Sequence, residues 1–299
     1  MAARAAVSTV TLKNAVGFQA YTLDLKQDKM VAKPHEHLSP PPGYDPAQAR
    51  LDLLDVPAEV AAHGFDCFDL SVLAVRSIER GYLAELRSAF EDAGVELFQL
   101  LIDIGEIGSP DPDERANSIK LTKRLIEVAS ELGAGGIRYV PGYTEPTVEN
   151  IPSWAGAFRE LADYAQQYGL RPATENYKTF NTEPDALLQV IDQSERDYGV
   201  IGDFGNAKGP DKYEILGKIL PRATSIHAWA FLNDDGTLNH EEFRRCLTIA
   251  RDRGFDGPIM LHGSYTPDNF CWAPDIWAGV ETLRGEFDAV FGKSNGNGS

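Results

Sequence analysis

Cysteine is scarce in this sequence, which has only Cys67, Cys246 and Cys271 among its 299 residues. The three are widely separated and form no CxxC pair, which argues against a disulfide framework and a thiolate zinc site. Apolar runs are also short, and none reaches the roughly 18 residues that a membrane-spanning helix needs. We therefore expect no membrane partner and a reducing cytoplasm as the compartment.

Basic residues are few: 28 Lys and Arg stand against 45 Asp and Glu, giving a formal net charge of −17. Nucleic-acid binding needs clustered Lys and Arg, so this balance argues against nucleic acid as a partner. The GxSxG, GxxxxGK[ST] and HExxH motifs are missing, and no GxGxxG follows the first apolar stretch. Nucleotide-driven chemistry therefore lacks support.

What the chain does contain is a regular alternation of short apolar runs with longer stretches of helical periodicity, the pattern of βα units. Eight strands are predicted at 15–21, 67–72, 96–102, 136–140, 171–174, 199–202, 224–229 and 258–261. Helices are predicted near 50–63, 79–93, 114–132, 153–168, 184–193, 211–220, 240–253 and 274–290. Eight such units are typical of a (β/α)8 TIM barrel.

Several predicted helices end in related phrases, AAHGFD, EDAGVEL, ELGAGGI, QQYGLRP and RDRGFDG, each with a glycine at a left-handed C-cap position. This recurrence favours a single barrel domain over residues 15–292, with an N-terminal arm at 1–14 and a disordered tail at 293–299. An open, doubly wound sheet is the alternative. The irregular segment 28–46, with His35 and His37, is expected to be either a lid or a proline-rich surface loop.

Four polar residues follow or end predicted strands, where a barrel exposes side chains to one common cavity. They are Glu175 in RPATENY, Asp203 in GVIGDFGN, His227 in TSIHAWAF and His262 in PIMLHGS. Their spacing approximates one βα unit each, so equivalent rim positions would surround one centre. Carboxylate and imidazole ligands together suit Mn²⁺, Co²⁺, Zn²⁺ or Fe²⁺ better than Ca²⁺.

The phrases TEN, DFGN and HAW, with VGFQAYTL, GVEL and IRYVPG, resemble the xylose-isomerase-like superfamily of sugar-phosphate isomerases, epimerases and related lyases. That resemblance implies one divalent metal ion held by Glu175, Asp203 and His227. The family's fourth ligand is an acidic residue on the eighth strand, where this chain has His262. His262 is predicted to ligate the ion or to act as a base, unless its presence abolishes metal affinity.

The resemblance implies proton transfer on a small polyhydroxylated substrate, with Glu175 and His262 as the predicted catalytic residues. Our leading hypothesis is a metal-dependent sugar or keto-polyol isomerase or epimerase. Because one of the family's paired glutamates is missing, a lyase or dehydratase that needs a single base is the second hypothesis, including cleavage of C-glycosides. The third is a metal-poor relative that binds a sugar or a partner protein without turnover. Related barrels often pair through rim loops, so a homo-oligomer is possible.

Six further residues near strand ends are predicted to bind substrate. Each also has an ordinary structural interpretation as an ion-paired, solvated or core residue. Tyr177 stands where some relatives carry histidine, so a proton relay proposed for those relatives does not transfer unchanged. The six are Glu106, Arg138, Asn176, Tyr177, Lys178 and Trp229.

Overall fold

Eight parallel strands close into a barrel in the computed structural model, which describes residues 2–12, 16, 20–33, 51–180, 183–263 and 276–292. The order around the barrel is β1, β10, β9, β8, β7, β6, β5, β4, and β2 pairs with β3 in a separate antiparallel hairpin. The strands are β1 Arg4–Ser8, β2 Tyr21–Asp24, β3 Lys29–Ala32, β4 Cys67–Ser71, β5 Glu96–Leu101, β6 Gly136–Arg138, β7 Arg171–Glu175, β8 Gly199–Asp203, β9 Ala223–Trp229 and β10 Pro258–His262. The predicted single (β/α)8 barrel is confirmed.

Eight α-helices of the described residues surround the barrel and match the predicted helices to within a few residues. They are α1 Val56–Ala62, α2 Arg80–Ala93, α3 Pro112–Glu131, α4 Ile151–Gln167, α5 Pro184–Ser194, α6 Lys212–Ile219, α7 His240–Asp252 and α8 Ile276–Phe291. Short 3-10 turns cover Val72–Ala74, Lys178–Phe180 and Leu220–Arg222. The five glycine phrases mark helix ends as predicted, since each glycine has a φ between 66° and 76°.

The first barrel strand is where the sequence prediction was wrong. It lies at Arg4–Ser8, inside the predicted N-terminal arm, whereas the predicted strand 15–21 is not part of the barrel in its described residues. The segment RAAVS has little intrinsic strand propensity, and its conformation comes from pairing with β10 on one side and β4 on the other. Residues 34–46 of the predicted lid and the predicted tail 293–299 lie outside the described residues.

Parallel strands place all their carboxyl ends at one rim of the barrel, and this rim carries the candidate site. A small apolar cluster of Ala6, Cys67, Phe98 and Met260, contributed by four barrel strands, is part of the buried core. Within the described part of the chain, no helix is long and apolar enough to cross a membrane.

Candidate metal centre

Three of the four predicted ligands meet at the rim. Asp203 ends β8, His227 lies in β9 and His262 ends β10, and their side chains are 6%, 3% and 2% exposed. The parallel register places Asp203 directly beside His227. Each of the three residues offers one donor atom, and these atoms lie within 4.8 Å of one another. Adjacent strands of a closed barrel therefore bring together residues that are 24 and 35 positions apart in sequence.

Glu175, the fourth predicted ligand, lies next to this three-residue group but outside it. Its Oε1 is 3.3 Å from Nδ1 of His227 and accepts a 3.4 Å hydrogen bond from Nδ2 of Asn206. Its Oε2 is 2.9 Å from Nε of Arg138. The Oε2 contact is an ion pair without hydrogen-bond geometry, since neither atom has a hydrogen-bond partner among the described residues.

Both histidines have one ring nitrogen fixed by a buried polar side chain. Nε2 of His227 is 3.1 Å from Oδ2 of Asp69, and Nε2 of His262 is 2.7 Å from Oγ of Ser8. Outer partners of this kind fix the ring orientation and tautomer of histidines that bind metals. For His227 the contact with Asp69 directs Nδ1 toward the carboxylates of the site.

The two carboxylate oxygens of Asp203 also differ: one is held by a hydrogen bond, and the other lies near His227. Its Oδ1 accepts a 2.8 Å hydrogen bond from the backbone N–H of Asn206, and its Oδ2 is 3.8 Å from Nδ1 of His227. Oε1 of Glu175 and Oδ2 of Asp203 therefore lie 3.3 and 3.8 Å from the same atom, Nδ1 of His227. Two imidazoles and two carboxylates form a donor set that fits a first-row divalent transition metal.

The charges of these buried groups strongly perturb one another. Burial lowers the pKa of His227, but the carboxylates of Glu175 and Asp69 outweigh it and raise that pKa to about 10. Burial and then the neighbouring Glu175 raise the pKa of Asp203 to about 7. Burial raises the pKa of Glu175, and the Arg138 and His227 charges outweigh it, so that the net shift is downward. The cluster therefore holds a proton that a metal ion must displace.

This proton makes metal affinity pH-dependent. The pKa of His227 in the folded chain, about 10, is above its ordinary value of 6.5, so protonated His227 stabilises the folded, metal-free chain. This stabilisation is complete below pH 6.5 and is lost as the pH rises through about 10. A metal needs the neutral imidazole, so we expect affinity to rise about tenfold per pH unit above pH 7. Chelator competition between pH 6.5 and 9 measures this slope. A pH-independent affinity would contradict the assignment of His227.

Three of the six predicted substrate-binding residues line the rim cavity, which has a volume of about 500 Å³: Arg138, Tyr177 and Trp229. The other lining residues include the four candidate ligands, Asp103 and Lys208. The Arg138 guanidinium makes ion pairs with Asp103 and Glu175, so it contacts two acidic groups of the cavity wall.

The other three predicted residues, Glu106, Asn176 and Lys178, are not among the lining residues. Asn176 is fully buried and exchanges two hydrogen bonds with the backbone of Asp203, of 2.9 and 2.7 Å. Because side chains alternate along an extended segment, Asn176 points away from the cavity that Glu175 enters. Nζ of Lys178 donates a 3.0 Å hydrogen bond to the carbonyl oxygen of Asp103.

Comparison with known proteins gives the fold and the family. The sequence model of the xylose isomerase-like TIM barrel family matches residues 57–278, which is most of the chain. The chain belongs to the xylose isomerase-like TIM barrel family. No curated protein matches its sequence.

Solved structures of other xylose isomerase-like barrels resemble it in fold. An IOLI protein with a bound zinc atom shares 16% identity, with 98% of this chain and 100% of that chain covered and a TM-score of 0.65. An L-ribulose 3-epimerase shares 16% identity over the whole of both chains, with a TM-score of 0.64. A Mycobacterium smegmatis protein in complex with magnesium shares 19% identity, covering 78% of this chain and 89% of that chain, with a TM-score of 0.56.

Glu106 has a structural task at the rim of this xylose isomerase-like barrel. Its carboxylate accepts hydrogen bonds from the backbone N–H groups of Tyr143 and Thr144, at 2.9 and 3.1 Å. Gly142, with a φ of 126°, lies so close that a Cβ at this position would collide with the Glu106 carboxyl group. The carboxylate therefore shapes the loop after β6.

Replacing Gly142 with alanine is expected to lower the free energy of unfolding by about 2–4 kcal/mol. The substitution forces a non-glycine residue into a glycine-only conformation and displaces the Glu106 hydrogen bonds. Urea denaturation measures the change. Gly156→Ala is the matched control, because Gly156 lies inside α4 with nothing within 4 Å of a Cβ, and alanine there should stabilise slightly. Equal stabilities for the two variants would contradict the prediction.

Ser8, Asp69 and Asn206 support the candidate ligands, and sequence reasoning did not single them out. One signal was visible for Asp69, a carboxylate in the middle of the otherwise uncharged strand CFDLS. A buried charge in a strand is expensive unless it is paired, so its presence indicates a partner inside the barrel. Ser8 carried no such signal, because its strand was not predicted.

Proposed function

We propose that this chain is a divalent-metal-dependent sugar isomerase that transfers a proton between adjacent carbons of a small polyhydroxylated substrate. Glu175, Asp203, His227 and His262 would hold the ion. Support for the donor set comes from the grouping of Asp203, His227 and His262 within 4.8 Å, and from Oε1 of Glu175, which lies 3.3 Å from Nδ1 of His227. The family includes sugar epimerases such as the L-ribulose 3-epimerase, which supports a sugar-like substrate.

Glu175, Asp203, His227 and His262 would hold a divalent ion, which when bound would polarise the carbonyl oxygen of the substrate and so acidify the C–H on the adjacent carbon. The residues of the chain supply the other requirements. Asp69 and Ser8 keep the two imidazoles in place. Tyr177 and Trp229 line the cavity, where their rings would supply apolar surface for sugar C–H bonds.

The observation that carries the proposal is the environment of the Glu175 carboxylate. Its Oε1 lies 3.3 Å from Nδ1 of His227, and its Oε2 is buried 2.9 Å from Nε of Arg138. The Arg138 and His227 charges outweigh burial and lower the pKa of Glu175, so the carboxylate is ionised at neutral pH and can accept a proton from carbon. The same carboxylate would return that proton to the neighbouring carbon on the same face of the substrate.

His262 explains why isomerisation is favoured over two-base epimerisation. Epimerisation by two bases inverts one carbon and needs a proton acceptor and a proton donor on opposite faces. The relatives implied by the sequence resemblance place a second glutamate on the last strand, where this chain has His262. With Nε2 of His262 held by Ser8, Glu175 is the one base that we propose, and one base is sufficient for transfer on one face.

A lyase is the second candidate, because β-elimination also needs only one base. The specific observation in its favour is Tyr177, whose phenol belongs to the cavity lining and whose pKa is raised by burial. A phenol that stays protonated can donate its proton to a leaving hydroxide or alkoxide. Glu175 would remove the proton from carbon in both reactions. An isomerase would return that proton to the neighbouring carbon, whereas a lyase would break the bond to a leaving hydroxide or alkoxide.

Elemental analysis of the purified protein beside its His262→Glu variant tests the proposal first. About one Mn, Co, Fe or Zn per wild-type chain supports a working centre. Metal in the variant alone would mean that His262 disables the site, leaving a sugar-binding or partner-binding protein. The loaded protein is then incubated with aldoses and ketoses in D₂O, and NMR detects isomerisation, proton exchange or elimination products. A metal-loaded chain that exchanges no carbon-bound proton in any of them would overturn the enzymatic proposal.

A further inference from the structure

Arg138 lies between two carboxylates at the wall of the cavity. Its NH1 is 2.8 Å from Oδ1 of Asp103 and donates a 3.2 Å hydrogen bond to the carbonyl oxygen of Ile102. Its Nε is 2.9 Å from Oε2 of Glu175. The residue is 3% exposed, so these contacts are made without competition from bulk water.

The Asp103 side of this arrangement is anchored independently of the candidate ligands. Oδ2 of Asp103 accepts a 2.7 Å hydrogen bond from Oγ of Ser71, at the end of β4. The backbone carbonyl of Asp103 accepts the hydrogen bond from Lys178. The guanidinium group of Arg138 is therefore held at the ends of β4, β5 and β6 by contacts that do not involve Glu175 on β7.

A buried cation beside a site for a cation is electrostatically unfavourable by itself, because like charges repel strongly where water is excluded. The geometry offers a compensating effect. The closest contact of Arg138 with Glu175 is to Oε2, while Oε1 lies 3.3 Å from Nδ1 of His227. The terminal torsion of a glutamate is broad, so without this contact the orientation of the carboxylate would depend on the long, 3.4 Å hydrogen bond from Asn206 and on His227.

We propose that Arg138 is a positioning residue, which fixes Glu175 through Oε2 so that Oε1 faces the other metal donors. This inference rests on the proposed metal centre and adds a residue to its support. It makes Arg138 the counterpart of Asp69 and Ser8, which hold the two histidines. The three supports come from β6, β4 and β1, three different strands of the barrel.

The direction in which metal affinity changes in an Arg138 variant distinguishes a positioning role from a purely electrostatic effect of the Arg138 charge. If Arg138 acted only by its charge, Arg138→Met would tighten metal binding because a repulsive cation is removed. If it positions Glu175, the same variant should bind Mn²⁺ or Zn²⁺ about 10- to 100-fold more weakly, the usual cost of losing an outer partner. Competition with a chelating indicator gives the Kd. Lys208→Met, which removes a positive charge from the same cavity wall without touching Glu175, should change the Kd by less than about threefold.

A double-mutant cycle shows whether the effect passes through Glu175. In a Glu175→Gln background, Arg138→Met should weaken metal binding by less than about threefold further, because the group that Arg138 positions is already neutral. A variant that combines Arg138→Met with Asp103→Asn has no unpaired carboxylate at position 103. It should have the same Kd for the metal as Arg138→Met alone if the loss of affinity does not come from misfolding. Visible spectra of the Co²⁺-loaded proteins report any change in the ligand set directly.

The outcomes distinguish this inference from the proposed function. Metal binding by Arg138→Met that equals or exceeds the wild type overturns the positioning role, and so does an equal loss in the Glu175→Gln background. Both results leave the metal centre standing. A wild-type chain that takes up no metal, or an Asp203→Asn variant with unchanged affinity, overturns the metal centre and the positioning role together. Weakening in Arg138→Met that disappears without Glu175 is the expected result, and chelator titration of these variants decides it.

Discussion

Glu175→Gln is expected to reduce substrate proton exchange by about 10³-fold or more, measured at a Mn²⁺ concentration that saturates the variant. Glutamine preserves the size of the side chain but cannot accept a proton from carbon, and general-base catalysis by a positioned group contributes about 10²- to 10⁴-fold. The loss should exceed any effect of weaker metal binding, because saturation removes that effect. Deuterium incorporation from D₂O, followed by NMR, measures the rate.

The matched control for this experiment is Glu160→Gln. Glu160 is a surface glutamate that pairs with Lys123 at 2.7 Å and is about half exposed, so its substitution should leave the exchange rate unchanged. Full exchange activity in the Glu175→Gln variant would show that another group removes the proton. That result would overturn the single-base proposal while leaving the metal centre intact.

The second large effect concerns metal affinity. Asp203→Asn should weaken the binding of Mn²⁺ or Zn²⁺ by about 100-fold or more, because a neutral amide replaces a charged donor in a buried site. Asp69→Asn should weaken binding by about 10- to 100-fold, because its effect is transmitted through the orientation of His227. The loss is expected to be larger for Asp203→Asn because Asp203 would contact the ion directly, whereas Asp69 would act through His227.

Asp185→Asn is the neutral reference, since Asp185 is an exposed aspartate paired with Lys218 on the outer surface. Chelator competition on all three variants gives the Kd values, and thermal melts confirm folding. If Asp69→Asn were as mild as Asp185→Asn, the contact between Asp69 and His227 would have no role in metal binding. If it were more severe than Asp203→Asn, Asp69 would belong among the ligands.

Most of the barrel could be predicted from the sequence because its signals are local. Strand runs, helical periodicity and glycine caps each depend on a few neighbouring residues, and they locate seven of the eight barrel strands. The strand at Arg4–Ser8 depends on something else, because it is held by partners about 60 and 250 residues away. The apolar stretch VGFQAY carries a stronger local pattern, which led the prediction to the wrong segment.

The candidate ligands could be predicted for a similar reason: each one lies in or at the end of a recognisable strand. Their supports could not, since the contact between Asp69 and His227 joins residues 158 positions apart and depends on the closure of the barrel. Asn176 shows the opposite error. It follows Glu175 directly, but one step along an extended chain reverses the side-chain direction, and the amide binds the backbone of Asp203 instead of facing the cavity.

The hydrogen bond between Ser8 and His262 has a consequence for how the protein is made. The two residues are 254 positions apart, and they belong to the strands that close the barrel. During synthesis on the ribosome, His262 is added 254 residues after Ser8, so the two side chains can meet only after all the intervening barrel strands have been made. Because His262 is one of the proposed ligands, a nascent chain cannot complete the metal site before β10 has been made. Metal binding should therefore begin only when the barrel has closed. A fusion partner that disturbs residues 4–8 should impair metal binding.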